Sequence, residues 1–342
     1  MGVDITKDKY RGFCLKSGLI IFFVVFLIII CILSINSQFL DQSFFALSVA
    51  VAAFSASLLV VIAGIYKQTR LEKTAYNKLW PFFAIVLGIT FGFIAVILSN
   101  IFIFLISNTF ADIVYSPIGI SVLIAIFCGL LAYLVTKSVF RLNQRKHLLI
   151  VSATFVIGFL TASTLAFDRY WWRSSICALG MPLNKNPEYY NFMLILVGAL
   201  LILFAVYLRP QIRLLLDKGL LDKKKARILT VLYFIEMITV ILVGAIPYGI
   251  SHWLNIIHVF FGFYVFINIG AIMLFSFWLF RKFPRNFIII NYLLLLSGYI
   301  FYFFGSNMPL LPYAVTEMLI TVTVVIWIFL FLRTLKILNK SG

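Results

Sequence analysis

Two carboxylates stand inside long apolar runs of this 342-residue chain, and they raise the first chemical question. Glu236 is the ninth residue of "ILTVLYFIEMITVILVGAIP", and Glu317 sits early in "PYAVTEMLITVTVV". A carboxylate at the centre of a bilayer costs roughly 2.5–3.5 kcal/mol on insertion scales, so each is expected to face protein or water. For Glu236 two readings stand: a protonated side chain bonded to a neighbouring helix, or a proton-coupled or polar-substrate group, as in a permease that uses Glu236 and Asn268.

A second set of groups gathers around "DRYWWRSSICALGMPLNKNPEYYN" (168–191). Arg173, Ser174, Ser175, His258 and Glu317 are expected to share one depth at the membrane surface, with Asp168 and Trp172 as a lid. Thr161, Thr164 and Asp168 fall at helical spacing on one face. Arginine and serine beside indoles at headgroup depth suit a phosphate or a glycan, because the guanidinium forks onto oxyanions while the rings sit among the upper acyl chains. The plainer alternative is a structural lid in which Arg173 pairs with Asp168. Serine nucleophile chemistry with His258 as base lacks a G-x-S-x-G frame. His252 and His258 are six residues apart, about 240° around a helix, so they do not converge on one metal, and His147 belongs to the opposite membrane side. No metal, no cofactor and no assignable catalytic residue are expected.

These groups must be held by membrane helices. Hydrophobic residues make up 63% of the chain and charged ones 11%, with a mean hydropathy of +1.11, far from the roughly one-quarter charged composition of a soluble domain. Ten apolar runs recur, at about 17–36, 43–66, 80–107, 116–137, 147–167, 190–208, 227–248, 254–280, 286–306 and 312–332, each long enough to cross a ~30 Å hydrocarbon layer. None alternates with period 2, so the fold class is an all-α, polytopic membrane protein.

The net charge of +17 is organised by this topology. With ten spans, 25 of the 28 basic residues fall in segments on the N-terminal side (7–16, 67–78, 137–146, 209–227, 281–285 and 333–340). Only Arg169, Arg173 and Lys185 fall opposite. Positive-inside bias then puts both termini in the cytoplasm of a plasma membrane, best a bacterial one, and the short loops exclude nucleic-acid binding. Trp171, Trp172 and Trp253 mark one interface and Trp80, Trp278 and Trp327 the other. The basic start and the apolar run without an A-x-A site read as a retained first span.

All nine prolines, Pro210 and Pro309 included, are expected in loops or at segment ends. Broken mid-membrane helices of the transporter kind are therefore not visible. Gly88 with Gly92, and Gly158 with Ala162, have the small-x-x-x-small spacing of close helix contacts, within one chain or across a dimer seam. The basic loop 137–147 separates a four-helix region (1–144) from a six-helix one (145–342).

The six-helix region resembles a known family. "SSICALG" (174–180), "NP" (186–187) and "YNFMLILVGALL" (190–201) are followed by "VGAIP" (243–247) and "HVFFGFYVF" (258–266). This order resembles the bacterial membrane family domain-of-unknown-function 998 over residues 145–337. The layout is also similar to the damage-regulated autophagy modulators and the GPI-lipid remodelling factors. The resemblance implies a six-helix, lipid-associated module with a loop between its first two helices, and no reaction. Cys177 and Ala178 stand where the family often has Ser and Asp or Thr, so chemistry carried by those side chains is not implied here.

Three functions follow as expectations. The first is an outward-facing, headgroup-depth pocket that binds, senses or helps process a lipid or lipid-linked glycan, membrane lipids being the partners. The second is a proton-coupled permease using Glu236. The third is a non-catalytic scaffold whose basic loop 209–227 meets a cytoplasmic partner or anionic lipid. No oligomeric state is implied.

Overall fold

The computed structural model describes residues 5–35, 42–71, 79–109, 117–140, 142–184, 186–308 and 310–340. Lys73, Lys78, Arg141 and Lys185 among the basic residues, and Pro309 among the prolines, lie outside the described residues. Among the described residues the structure is helical with no strand, as an apolar chain must be when its backbone polar groups find partners only within their own segment.

The helices are α1 (Ile5–Ile35), α2 (Gln42–Leu71), α3 (Trp80–Thr109), α4 (Pro117–Val139), α5 (Gln144–Thr164), α6 (Glu188–Asp217), α7 (Lys223–Ala245), α8 (His252–Leu274), the single turn α9 (Ser276–Leu279), α10 (Arg285–Ser306) and α11 (Tyr313–Lys340). All except α9 are long and apolar enough to cross a membrane, which makes ten candidate spans among the described residues. This is a multi-pass membrane protein. Two compact units divide it, Met1–Ile150 and Val151–Gly342, with the boundary inside α5.

In the first unit α1 packs on α4, and α2 on α3 and α4. Gly88 and Gly92 of α3 face Leu58 and Phe54 of α2, so this glycine pair serves contact inside the unit. His147 is buried with its ring edge-on to Phe83, centroids 6.2 Å apart.

In the second unit α6 packs on α7, α7 on α8, and α10 on α11. Gly198 and Gly244 bring the first pair together, since a Cβ at Gly244 would lie 2.5 Å from the Asn191 carbonyl oxygen. Gly158 of α5 faces Met193 of α6.

Three expectations about the basic end are corrected. Pro210 lies inside α6, not at a segment end. The helix runs on because Leu214, Leu215 and Leu216 extend its apolar surface and Leu215 is buried. Most of 209–227 is therefore the ends of α6 and α7 around a tight turn, in which Gly219 has φ +63° and Leu220 N–H donates to Leu215 O at 2.9 Å, a left-handed helix cap. Lys282 Nζ donates to Gly219 O at 2.7 Å and holds that turn.

The eighth span does not continue to residue 280. It stops at Leu274, and Asn291 of α10 donates to Met273 O at 2.8 Å and to Ser276 Oγ at 2.9 Å across the break. Trp327 Nε1–H donates to Asn291 Oδ1 at 2.7 Å. Trp327 is buried, with its indole N–H satisfied inside the protein.

Candidate functional site

The segment between α5 and α6 is built around one amide. Asn184 Oδ1 accepts the Phe167 N–H at 2.8 Å, and its Nδ2 donates to Ala178 O at 2.7 Å, so both halves of the loop are tied to one side chain. Helix α5 ends at Thr164, and the Thr161 and Thr164 hydroxyls bond back to Ile157 O and Leu160 O of the same helix. Asp168 is thus not on their helical face. Its Oδ1 accepts the Tyr170 N–H at 2.7 Å and closes a short turn.

Arg173 ends the 3-10 turn Trp171–Arg173, with its guanidinium carbon 4.4 Å from the Tyr170 ring centroid and 5.3 Å from that of Trp172. Stacking on aromatic faces is a favoured arginine environment. Ser174 Oγ donates to Trp171 O at 2.9 Å. Arg173, Tyr170 and Trp172 form an aromatic stack on the loop, and Arg173 and Ser174 are engaged there and not with Glu317.

Ser175 and Glu317 are brought together. Ser175 Oγ lies 3.0 and 2.9 Å from the two Glu317 carboxylate oxygens, and Ile176 N–H donates to Oε2 at 2.7 Å. The same Ser175 oxygen accepts the Cys177 N–H at 3.1 Å, capping the 3-10 turn Ile176–Gly180. Ser175 therefore gives its proton to a carboxylate and is occupied as an acceptor, which is the wiring of a structural clasp and not of an activated nucleophile. Burial pushes the Cys177 thiol up to about 11, helped by the negative charge of Glu317, and the thiol shares a hydrogen bond with Tyr190.

His258 sits elsewhere. It is 1% exposed, its Nδ1 lies 2.5 Å from Ile246 O, and its ring packs 5.6 Å from that of Tyr248. The carbonyl fixes the proton on Nδ1 and leaves Nε2 as a buried acceptor with no hydrogen-bond partner. The expected pocket of Arg173, Ser174, Ser175, His258 and Glu317 thus resolves into three separate arrangements: an aromatic stack, a carboxylate clasp and a histidine–carbonyl bond.

The residues that sequence reading passed over are Asn184 of the loop and Asn191 of α6. Asn191 Nδ2 donates to Gly180 O at 3.0 Å, and its own carbonyl meets Gly244. Asn186, with φ +57°, turns the chain into Pro187, which caps α6. The segments "SSICALG", "NP", "YN" and "VGAIP" therefore form one junction, with Leu179 buried beneath it. An asparagine one turn inside an apolar helix was the available signal.

A family model described as "Protein of unknown function (DUF998)" matches residues 149–334. The chain belongs to this family. No curated protein and no solved structure matches the chain.

Within the DUF998 module, a cavity of about 440 Å³ lies between α8, α10 and α11. Its floor is apolar, with Phe266, Ile269, Met273, Leu294, Leu295 and Val324 among the lining residues. At one end stand Tyr302, Tyr313, Thr316 and Glu317. A second cavity of about 510 Å³ continues it, sharing Gly270, Leu295 and Tyr299 and reaching Leu274 and Tyr292. The Glu317 carboxylate, clasped by the loop on one side, thus borders an intramembrane groove on the other.

The remaining intramembrane polar residues pair with each other. Asn268 Nδ2 donates to Glu236 Oε2 at 2.9 Å and to Leu232 O at 3.0 Å, and both side chains are 4% exposed. This ties α7 to α8.

Proposed function

We propose that this DUF998 protein is a lipid-binding membrane protein whose site is the groove between α8, α10 and α11, closed at its polar end by the 165–187 loop. The observation that carries this reading is the division of the groove lining, with a carboxylate, a threonine and two tyrosines at one end and a mainly apolar surface along the rest, in which Tyr299 and Thr323 are the polar members. Such a lining matches an amphiphile, with the chain among the apolar residues and the headgroup at the carboxylate. The committed hydroxyl of Ser175 favours binding over catalysis. The reading takes with it the expected orientation, with both termini cytoplasmic and the loop facing outward from a plasma membrane, which the lopsided distribution of basic residues supports.

Lipid mass spectrometry of the purified protein tests it. A lipid enriched over the bulk membrane, and lost when Gly298→Leu fills the groove, is the expected result. No enrichment, or enrichment unchanged in that variant, removes the reading.

The Glu236–Asn268 pair favours proton-coupled transport as a second reading, since a buried carboxylate with a neutral amide partner can exchange a proton without breaking an ion pair. Uptake into vesicles that is indifferent to pH and to Glu236→Gln would eliminate it.

A further inference from the structure

The groove is asymmetric in a way that specifies its occupant. Helix α8 leans on α7 and α10 on α11, and between them Gly270 and Gly298 stand where an added Cβ would meet nothing within 4 Å. Two glycines that line one cavity from neighbouring helices leave a slot about as wide as the missing side chains. From Tyr302 to Tyr292 the slot follows ten residues of α10, about 15 Å at 1.5 Å per residue, or half of a ~30 Å hydrocarbon layer. That is the reach of one acyl chain from one leaflet.

The mouth carries one carboxylate and three hydroxyls, those of Tyr302, Tyr313 and Thr316, and no basic side chain lines the cavity among the described residues. A carboxylate accepts at about four positions, and the loop supplies Glu317 with two donor groups, the Ser175 hydroxyl and the Ile176 N–H. The carboxylate therefore keeps acceptor capacity on its groove side. Beside it, Thr316 lines the same cavity with its Oγ1 turned away, buried against Gly305 of α10. The basic side chain nearest in sequence to the clasp, Arg173, is stacked on Tyr170 and Trp172. A headgroup phosphate at this mouth would meet a carboxylate of its own sign in a poorly screened setting, whereas a hydroxyl would donate to Glu317.

We propose, building on the lipid-binding reading, that the groove takes a single acyl chain of an uncharged, hydroxyl-headed lipid of the acylglycerol type, and that Glu317 discriminates against phosphate headgroups. Selectivity comes from what the carboxylate repels as much as from what it binds.

The experiment uses the full-length protein in nanodiscs and two photoreactive probes with the same diazirine chain, a monoacylglycerol and a lysophosphatidic acid. Labelling by the monoacylglycerol probe, mapped to peptides of α8, α10 and α11, should exceed that by the phosphate probe by about tenfold, a difference expected of one like-charge contact. Glu317→Gln should bring the two probes to within about twofold while keeping the groove labelled, and Gly298→Leu should abolish labelling by both. Gly270→Leu, on the facing helix, carries the same test if Gly298→Leu does not yield folded protein. Equal labelling of the groove by both probes, or an undiminished preference in Glu317→Gln, overturns the headgroup assignment and leaves lipid binding standing. Absence of groove labelling with either probe overturns lipid binding itself.

Discussion

Ile176 donates its backbone N–H to Glu317 Oε2 at 2.7 Å, joining the loop before α6 to the first turns of α11. The Ser175 hydroxyl reaches the same carboxylate from the adjacent position, so two successive residues converge on one side chain. The bond carries structural weight because an amide N–H without an acceptor at this depth is costly. Removing the acceptor as Glu317→Ala should destabilise the protein by about 1–3 kcal/mol, while Glu317→Gln, which keeps one carbonyl oxygen, should lose less. Thermal unfolding in detergent should rank wild type above Glu317→Gln above Glu317→Ala; equal midpoints for the two variants would contradict the clasp.

Cys177 reports on the same carboxylate from inside the loop. Its thiol is raised from 9.0 to about 11, first by burial and then by the charge of Glu317, so little thiolate exists at pH 8. Maleimide labelling of Cys177 at that pH should be slow in the folded protein, fast after unfolding in SDS, and intermediate in Glu317→Gln. The folded state holds this proton more tightly than the unfolded chain, so stability should fall as pH rises from 9 toward 11. A Cys177→Ala variant with the same alkaline loss would assign that loss to other groups.

Glycines in the second unit fall into two classes with opposite expected responses. A Cβ at Gly244 meets the Asn191 carbonyl oxygen, which is backbone and cannot swing aside, so Gly244→Ala should cost about 1–3 kcal/mol as overpacking. Gly270→Ala and Gly298→Ala meet nothing within 4 Å and should unfold at or above the wild-type temperature, since alanine favours helix by up to about 1 kcal/mol. A destabilised Gly298→Ala would mean that the slot is closed in the working protein.

Asn291 is expected to be the most sensitive amide in the chain. It serves Met273 O, Ser276 Oγ and the Trp327 indole together, and all three are lost in Asn291→Leu. Single polar contacts within membranes average about 0.6 kcal/mol, so the variant should lose about 2 kcal/mol. Asn291→Asp, which keeps the acceptor for Trp327, should retain part of it. Unfolding of both in the same detergent separates the contributions.

Orientation can be read independently. Green fluorescent protein fused after residue 340 should fluoresce, and alkaline phosphatase fused within 181–184 should be active. The reverse pattern would invert the side on which the loop and the groove mouth face.

Ten helices were legible because each is announced by a run of about 20 apolar residues, a signal set by bilayer thickness and indifferent to packing. What hydropathy could not resolve were breaks within apolar sequence. The run through Phe275 and Phe277 reads as continuous helix, and only Asn291, far along the chain, marks where α8 stops. Both intramembrane carboxylates were visible as charges in hydrocarbon, and Ser175 was visible as a polar loop residue. Their partners were less so, because a partner is a matter of helix rotation. Asn268 meets Glu236, but His258 turns to Ile246 O and not to Glu317. Arg173 looked like a phosphate ligand by type and depth, yet two aromatic rings in its own loop hold its guanidinium.

Ser175 and Glu317 are separated by 142 residues of chain. During synthesis the loop leaves the ribosome with α5 and α6, and its two donors then wait for an acceptor that arrives only with α11. Closure of the 165–187 loop therefore signals that the module is complete, and a chain truncated before α11 should present the loop open to proteases that the finished protein resists.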